Sequence, residues 1–260
     1  MLEFNKEKTI MKTYIVNLPR CRDRRESILK ECARFDLEAE IFPGVDGREL
    51  SETELRGLVF DPERNQLSRS EIGCALSHRG IYRDMMEKNI PIALVLEDDS
   101  VFNQDPKPLL DELERQPTRA PEVFLLTRKK TDSYIDHGRP RLVGDIKFYR
   151  GWAGSGAYGY VITRKAAANL HGFQTPVKAM ADWWKLFQFN EMIRLYVCEK
   201  EIIGLEPELA SASLLKVDRG ASWGRARRRY VMRIRHQTPI RLMVKYFFIG
   251  LRHRFNIRQQ

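Results

Sequence analysis

A chain of 260 residues, 43% hydrophobic and 31% charged, can bury a substantial core and is neither disordered nor collagen-like. Its net charge of +10 is lopsided: residues 219–260 hold 12 Lys and Arg and no Asp or Glu, which leaves 33 basic against 35 acidic residues before them. That near-neutral body argues against nucleic-acid binding there, and the four scattered cysteines, with no CxxC pair, argue against a zinc site or a disulfide framework and fit a reducing compartment. The first twelve residues lack the apolar stretch of a signal peptide, and no run approaches the roughly 20 apolar residues of a membrane span.

The β-rich run TYIVNL (13–18) ends in turn chemistry at Asn17-Leu18-Pro19. RRESILKECARFD (24–36) follows with helical spacing at Ile28, Leu29, Cys32 and Phe35, and AEIFPGVDG (39–47) reads as a second strand. This strand–helix–strand opening predicts a βαβ unit and a parallel sheet. The helix predicted over 67–89 is marked by a capping box, Ser68 with Glu71, a Leu67–Ile72 staple, and Pro91 beyond its end. PIALVLEDD is a continuous apolar run suited to a central strand buried on both faces. EVFLLT (122–127) predicts another strand, and the polar stretch 128–145 a mobile loop. Strands around a Gly-rich turn follow, with an antiparallel hairpin expected near 148–163 and a helix from about Arg164. Residues 180–192 read as helix and RLYVCE (194–199) as strand; from Pro207 the pattern is irregular.

Glu97, Asp98 and Asp99 close the central apolar run. In open α/β sheets, ligands bind beyond the carboxyl ends of the strands. Two charges about 6 Å apart at an effective dielectric near 20 repel by roughly 3 kcal/mol. Such a cluster protonates, splays into solvent or recruits a cation, and oxygen ligands suit Mg²⁺ or Mn²⁺. The bland alternative is an acidic surface turn.

Three blocks, YIVNLPRCRDRR (14–25), LSRSEIGCALSHRGIY (67–82) and IALVLEDDSVF (92–102), together resemble glycosyltransferase family 25, with a weaker echo as far as about residue 215. The family includes enzymes that extend bacterial lipopolysaccharide or lipooligosaccharide and galactosyltransferases that modify collagen. The resemblance implies an α/β fold with a GT-A-like, mostly parallel sheet flanked by helices over residues 1–218. It implies an inverting transferase with UDP-galactose as donor and a lipid-linked glycan as acceptor. Glu97, Asp98 and Asp99 would then hold Mn²⁺ or Mg²⁺ against the donor diphosphate, Asp99 foremost. Asn17, Arg22 and Arg24 lie where nucleotide contacts are expected, and arginine suits phosphate geometry; a solvated first helical turn is the alternative for both arginines. Asp46 is either a ribose or base contact or a plain turn residue. Gly73, Ser77 and His78 lie on the capped helix, with His78 either structural or at the site and Gly73 allowing close packing on sheet or nucleotide.

An inverting transfer needs a base for the acceptor hydroxyl proton. The family's Pro–aliphatic–Asp element is absent here: Pro176 is followed by VKAMA before Asp182. Asp182 is the candidate base, with Trp183 or Trp184 as a face for a sugar ring; the competing account is a helix N-cap beside two core tryptophans. Trp152 either lines the acceptor pocket or is a buried strand aromatic.

The basic tail, 219–260, interleaves charges with Val231, Ile234, Leu242, Phe247, Phe248 and Leu251, split near Pro239. It reads as an amphipathic helical anchor to an anionic membrane surface, which would place the protein in the cytoplasm on the inner face of the membrane. A nucleic-acid patch and a helix docked on the body are the other readings. A nucleic-acid-binding protein and a metal-dependent nucleotidyltransferase are the competing functions; the body has no zinc-finger, RRM or helix-turn-helix pattern and no P-loop.

Overall fold

The computed structural model describes residues 11–116, 118–127, 134–206 and Val244. In chain order the elements are β1 (Lys12–Asn17), α1 (Arg22–Arg34), β2 (Ala39–Pro43), α2 (Glu52–Leu58), α3 (Arg69–Glu87), β3 (Ile92–Glu97), β4 (Ser100–Phe102), α4 (Lys107–Arg115), β5 (Glu122–Leu125), β6 (Tyr134–Val143), β7 (Ile146–Ala153), β8 (Gly159–Thr163), α5 (Arg164–Phe173), α6 (Trp184–Phe189), β9 (Arg194–Cys198) and β10 (Ile203–Leu205). Eight strands form one sheet in the order β2-β1-β3-β8-β5-β9-β7-β6, and β10 pairs with β4 in a small second sheet.

β1 pairs in parallel with β2 on one side and β3 on the other, as the opening βαβ pattern predicts. The chain steps from β1 to β2 in one direction and then returns past β1 to β3. The winding direction therefore reverses between β1 and β3, and ligand crevices form beyond the strand ends at such a reversal. β3 is buried on both faces, as expected. Ala93 and Val95 face one core with Ile81 and Met85 of α3 and Leu170 of α5. Leu94 and Leu96 face the other, with Ile28 and Cys32 of α1 and Leu109, Leu110 and Leu113 of α4. Two-residue alternation of the strand thus sorts its side chains between two helical layers. Each buried Leu so placed contributes about 2 kcal/mol.

The sheet departs from the expected mostly parallel pairing. β8 runs antiparallel between β3 and β5, β7 runs antiparallel to both β9 and β6, and β5–β9 is parallel. Six of the eight strands still point the same way, because each antiparallel strand stands between strands of the common direction. The hairpin expected near 148–163 does not form: β7 and β8 are adjacent in sequence but not in the sheet. Tyr160 and Ile162 face one core and Val161 the other, so β8 needs a central slot rather than a neighbour's edge. The stretch 128–145, read as a loop, contains the edge strand β6 from Tyr134 to Val143; residues 128–133 lie outside the described residues. Pro140 is tolerated there because an edge strand has one unpaired side, and the register shifts between Asp136 and Arg141 around it.

The start of α3 is set locally. Ser68 caps it, accepting from the Glu71 N–H, while the Glu71 carboxylate accepts from the Ser68 N–H. The same device, Ser51 with Glu54, starts α2, a helix for which no expectation was made. The boundary near residue 218 and the basic tail lie outside the described residues, Val244 excepted. Among the described residues no helix is long and apolar enough to cross a membrane.

Candidate active site

A cleft opens at the carboxyl ends of β1, β2 and β3. Its lining includes Leu18, Arg24, the loop Gly44–Gly47, Ser70, Cys74 and Ser77 of α3, and Glu97, Asp98 and Asp99. The loop and α3 touch backbone to backbone. A Cβ on Gly73 would lie 2.4 Å from the Val45 carbonyl oxygen, and one on Gly47 would lie 1.8 Å from that of Arg69. Gly73 therefore permits close packing, and what it packs against is the loop after β2. Ser77 Oγ ties the same joint, accepting from the Val45 N–H at 2.8 Å and donating to the Gly73 carbonyl at 2.7 Å. Its hydroxyl shapes the cleft wall.

The three acids part company. Asp98 and Asp99 follow the end of β3 and are both buried. Asn17 donates its Nδ2 to Asp98 Oδ2 at 2.7 Å and to the Cys21 carbonyl at 3.0 Å, joining the end of β1 to the acidic turn across the winding reversal. Arg24, on the first turn of α1, pairs with Asp98 and reaches Asp99 Oδ2 at 3.1 Å. Burial pushes the Asp98 carboxyl up, against the pull of Arg24 and Asn17. Burial, then Glu97, lifts Asp99 to about 7, with Arg24 opposing and Asp98 adding to the rise. Among the described residues, Asp99 Oδ1 is buried without a hydrogen-bond partner, and so is Arg24 Nε. An unpaired buried carboxylate oxygen is costly, and a hard cation satisfies it. The oxygen donors at this turn fit Mg²⁺ or Mn²⁺.

Glu97 faces the other way. Its Oε1 lies 3.3 Å from His78 Nε2 and 3.8 Å from the Cys74 thiol. His78 is buried, with Nδ1 2.7 Å from the Tyr160 hydroxyl, itself 3.0 Å from that of Tyr82. His78 acts here by holding Glu97. Burial, then the carboxylates of Glu97, Asp182 and Asp99, pushes the Cys74 thiol well above its ordinary range. Asp182, distant in sequence, comes near enough for its charge to add to that rise.

Asp182 is half-buried, and its Oδ2 accepts the Gly156 N–H at 3.0 Å. The α6 N-cap is Trp183, not Asp182, and it makes no side-chain cap bond. Trp184 is fully buried, donates to the Gly156 carbonyl at 3.0 Å and meets Tyr160 edge to face. It cannot offer a face to a sugar, because both faces belong to the core; that expectation is corrected. Trp183 is half-buried and packs against the same core. Trp152 lies on β7, four strands from β3 in the sheet, and is absent from the cleft lining. Arg22 is exposed on the first turn of α1 and does not line the cleft, which matches the solvated reading. Asp46 does line it. Burial raises this carboxyl, but hydrogen bonds from Arg48 and then Arg20 outweigh burial and hold it below the usual carboxylate range.

Sequence reasoning missed Cys74, Tyr160, Tyr82 and Arg20 as parts of this neighbourhood. Only Cys74 left a signal, four residues before His78 on one helix face.

The fold and cleft define an α/β protein with an acidic, arginine-bridged crevice at the winding reversal of its sheet. The chain belongs to glycosyltransferase family 25 (LPS biosynthesis protein), whose model matches residues 10–183. It is 26% identical over 172 residues to procollagen galactosyltransferase 2 of Homo sapiens, covering 61% of this chain and 27% of that protein. It is 39% identical over 97 residues to a glycosyltransferase 25 family member of Aedes aegypti, covering 34% and 16%. A probable inactive glycosyltransferase 25 family member 3 of Bos taurus is 28% identical over 181 residues, covering 64% and 29%. The match thus spans less than a third of the length of these relatives.

Proposed function

We propose that this protein is a metal-dependent, inverting glycosyltransferase that moves galactose from UDP-galactose onto a lipopolysaccharide- or lipooligosaccharide-type glycan. The galactosyl donor draws on the relatives named procollagen galactosyltransferase, and the acceptor on the family's description as an LPS biosynthesis protein. The observation that carries the reading is the Asp99 oxygen that has no hydrogen-bond partner among the described residues, buried beside Asp98 and Arg24 at the carboxyl edge of the sheet. Asp98 and Asp99 would hold the divalent ion, with Glu97 behind them. When bound, such an ion neutralises charge on the departing nucleoside diphosphate.

Arg24 faces the same charge and suits a phosphate partner. Asn17 holds Asp98 in place, and Ser77 and Gly73 hold the loop carrying Asp46 at the cleft, where a ribose or base contact is expected. Asp182, oriented by the Gly156 N–H, takes the acceptor hydroxyl proton. The acceptor oxygen then bonds to the sugar's anomeric carbon from the face opposite the leaving group, and UDP departs with the electrons of the broken bond. Trp183 stands beside Asp182 as an acceptor contact. The basic tail, with its 12 Lys and Arg, would hold the enzyme on an anionic membrane surface near a lipid-linked acceptor.

The test is UDP release by the purified full chain with Mn²⁺, scanned across nucleotide sugars with and without a lipooligosaccharide acceptor. UDP-galactose is expected to turn over fastest. No turnover or binding of any UDP-sugar overturns the reading and favours an inactive family member. Co-sedimentation with vesicles tests the tail: equal binding to neutral and anionic lipid removes the anchor.

A further inference from the structure

The wall of the cleft opposite Arg24 carries a different set of donors. Cys74 and His78 stand four residues apart on α3, so one helix face presents a thiol and an imidazole together. Glu97, at the end of β3, closes the group, and the three ligand atoms lie within 4.8 Å of one another. We propose that Cys74, His78 and Glu97 form a second metal site, suited to a thiophilic divalent ion such as Zn²⁺ and separate from the oxygen donors of Asp98 and Asp99.

Four features carry this. Two ligands of a tetrahedral ion bound at about 2.0 Å are about 3.3 Å apart, and Glu97 Oε1 lies 3.3 Å from His78 Nε2. A sulfur ligand lies about 3.5 Å from an oxygen ligand of the same ion, against 3.8 Å for Cys74 to Glu97, so the thiol has to shift toward its two partners as an ion binds. The second ring nitrogen of His78 is anchored by the Tyr160 hydroxyl at 2.7 Å, the outer partner that orients a ligating histidine. Cys74 and Glu97 both line the open cleft, so an ion has a way in and a fourth position facing solvent or ligand. Three protein ligands with one open position is the pattern of zinc sites that admit water or substrate. On binding, the thiol proton leaves to solvent as the sulfur–metal bond forms. Cysteine spacing could not reveal this site, because its ligands are one cysteine, one histidine and one carboxylate from two elements.

The inference does not depend on sugar transfer, and its test uses metals alone. The chelator-stripped full chain is titrated with Co²⁺ in excess Mg²⁺. One equivalent is expected to bind with a thiolate-to-cobalt charge-transfer band in the near ultraviolet, and Zn²⁺ is expected to displace it. Cys74→Ser should erase the band and weaken Zn²⁺ at least tenfold. Glu97→Gln should keep the band while weakening Zn²⁺, and it serves as the second variant if Cys74→Ser does not fold. Asp99→Asn should weaken Mn²⁺ and leave Zn²⁺ affinity unchanged. Absence of the band in the native chain, or its survival in Cys74→Ser, overturns the site. Equal loss of both metals in Asp99→Asn overturns its separateness.

Discussion

The two walls of the cleft are built from one tripeptide, yet they have become chemically different places. On one wall, Asp98 and Asp99 are buried against a guanidinium and an asparagine, with one Asp99 oxygen unsatisfied among the described residues. On the other, Glu97 meets a histidine backed by two tyrosines, and a thiol. Adjacent carboxylates are therefore not interchangeable: the end of the strand sends one toward α3 and the next two toward α1. Repulsion among them is eased by giving each side its own partners.

The sharpest way to break this comparison is to remove one acid at a time. Asp99→Asn is expected to lower Mn²⁺-stimulated turnover about 10³-fold, with the circular dichroism spectrum unchanged. Glu97→Gln is expected to cost less and to keep Mn²⁺ stimulation. Matching losses of turnover and Mn²⁺ affinity in the two variants would show a single three-carboxylate site and erase the distinction. Next comes Asp182→Asn, expected to cost about 10²-fold in kcat with UDP-sugar binding retained. A variant that keeps most of its kcat removes Asp182 as the base.

The acid–arginine wall also has a pH signature. Asp99 titrates near 7 in the fold, above its ordinary value. Between those two values the folded chain holds a proton that the unfolded chain has lost, so stability falls as pH rises. The metal-free protein should therefore lose thermal stability from about pH 4 and level off above about pH 7. Asp99→Asn should flatten that fall, and added Mn²⁺ should restore stability at the alkaline end. An unchanged slope in the variant would assign the effect elsewhere. The smallest effect concerns the joint that carries both walls. Ser77→Ala removes two hydrogen bonds, one buried and one partly buried, and should cost about 1 kcal/mol, a fall of about 2–4 °C in Tm. A larger rise in donor KM than in acceptor KM would show that the loop Gly44–Gly47 serves the nucleotide side.

Much of this was legible in the residues themselves. Period and punctuation marked β1, α1, β2, α3 and β3, because their signals are local: a capping box, a proline stop, an unbroken apolar run. Those elements alone put the three acids at the ligand edge of a sheet, and their order carried the family. Two assignments failed for one physical reason. β6 and β8 are defined by the partners they meet, and partner choice is a long-range matter that no window of sequence contains. β8 left its neighbour β7 because residues buried on both faces needed a central position. Tertiary structure also decided that Trp184 is core, that His78 meets Glu97, and that Asp182 comes within electrostatic reach of Cys74. Composition and periodicity thus determined which groups the chain carries and at which edge. Only packing, by bringing α1 and α3 to opposite sides of one strand end, determined which acid meets a cation and which meets a histidine.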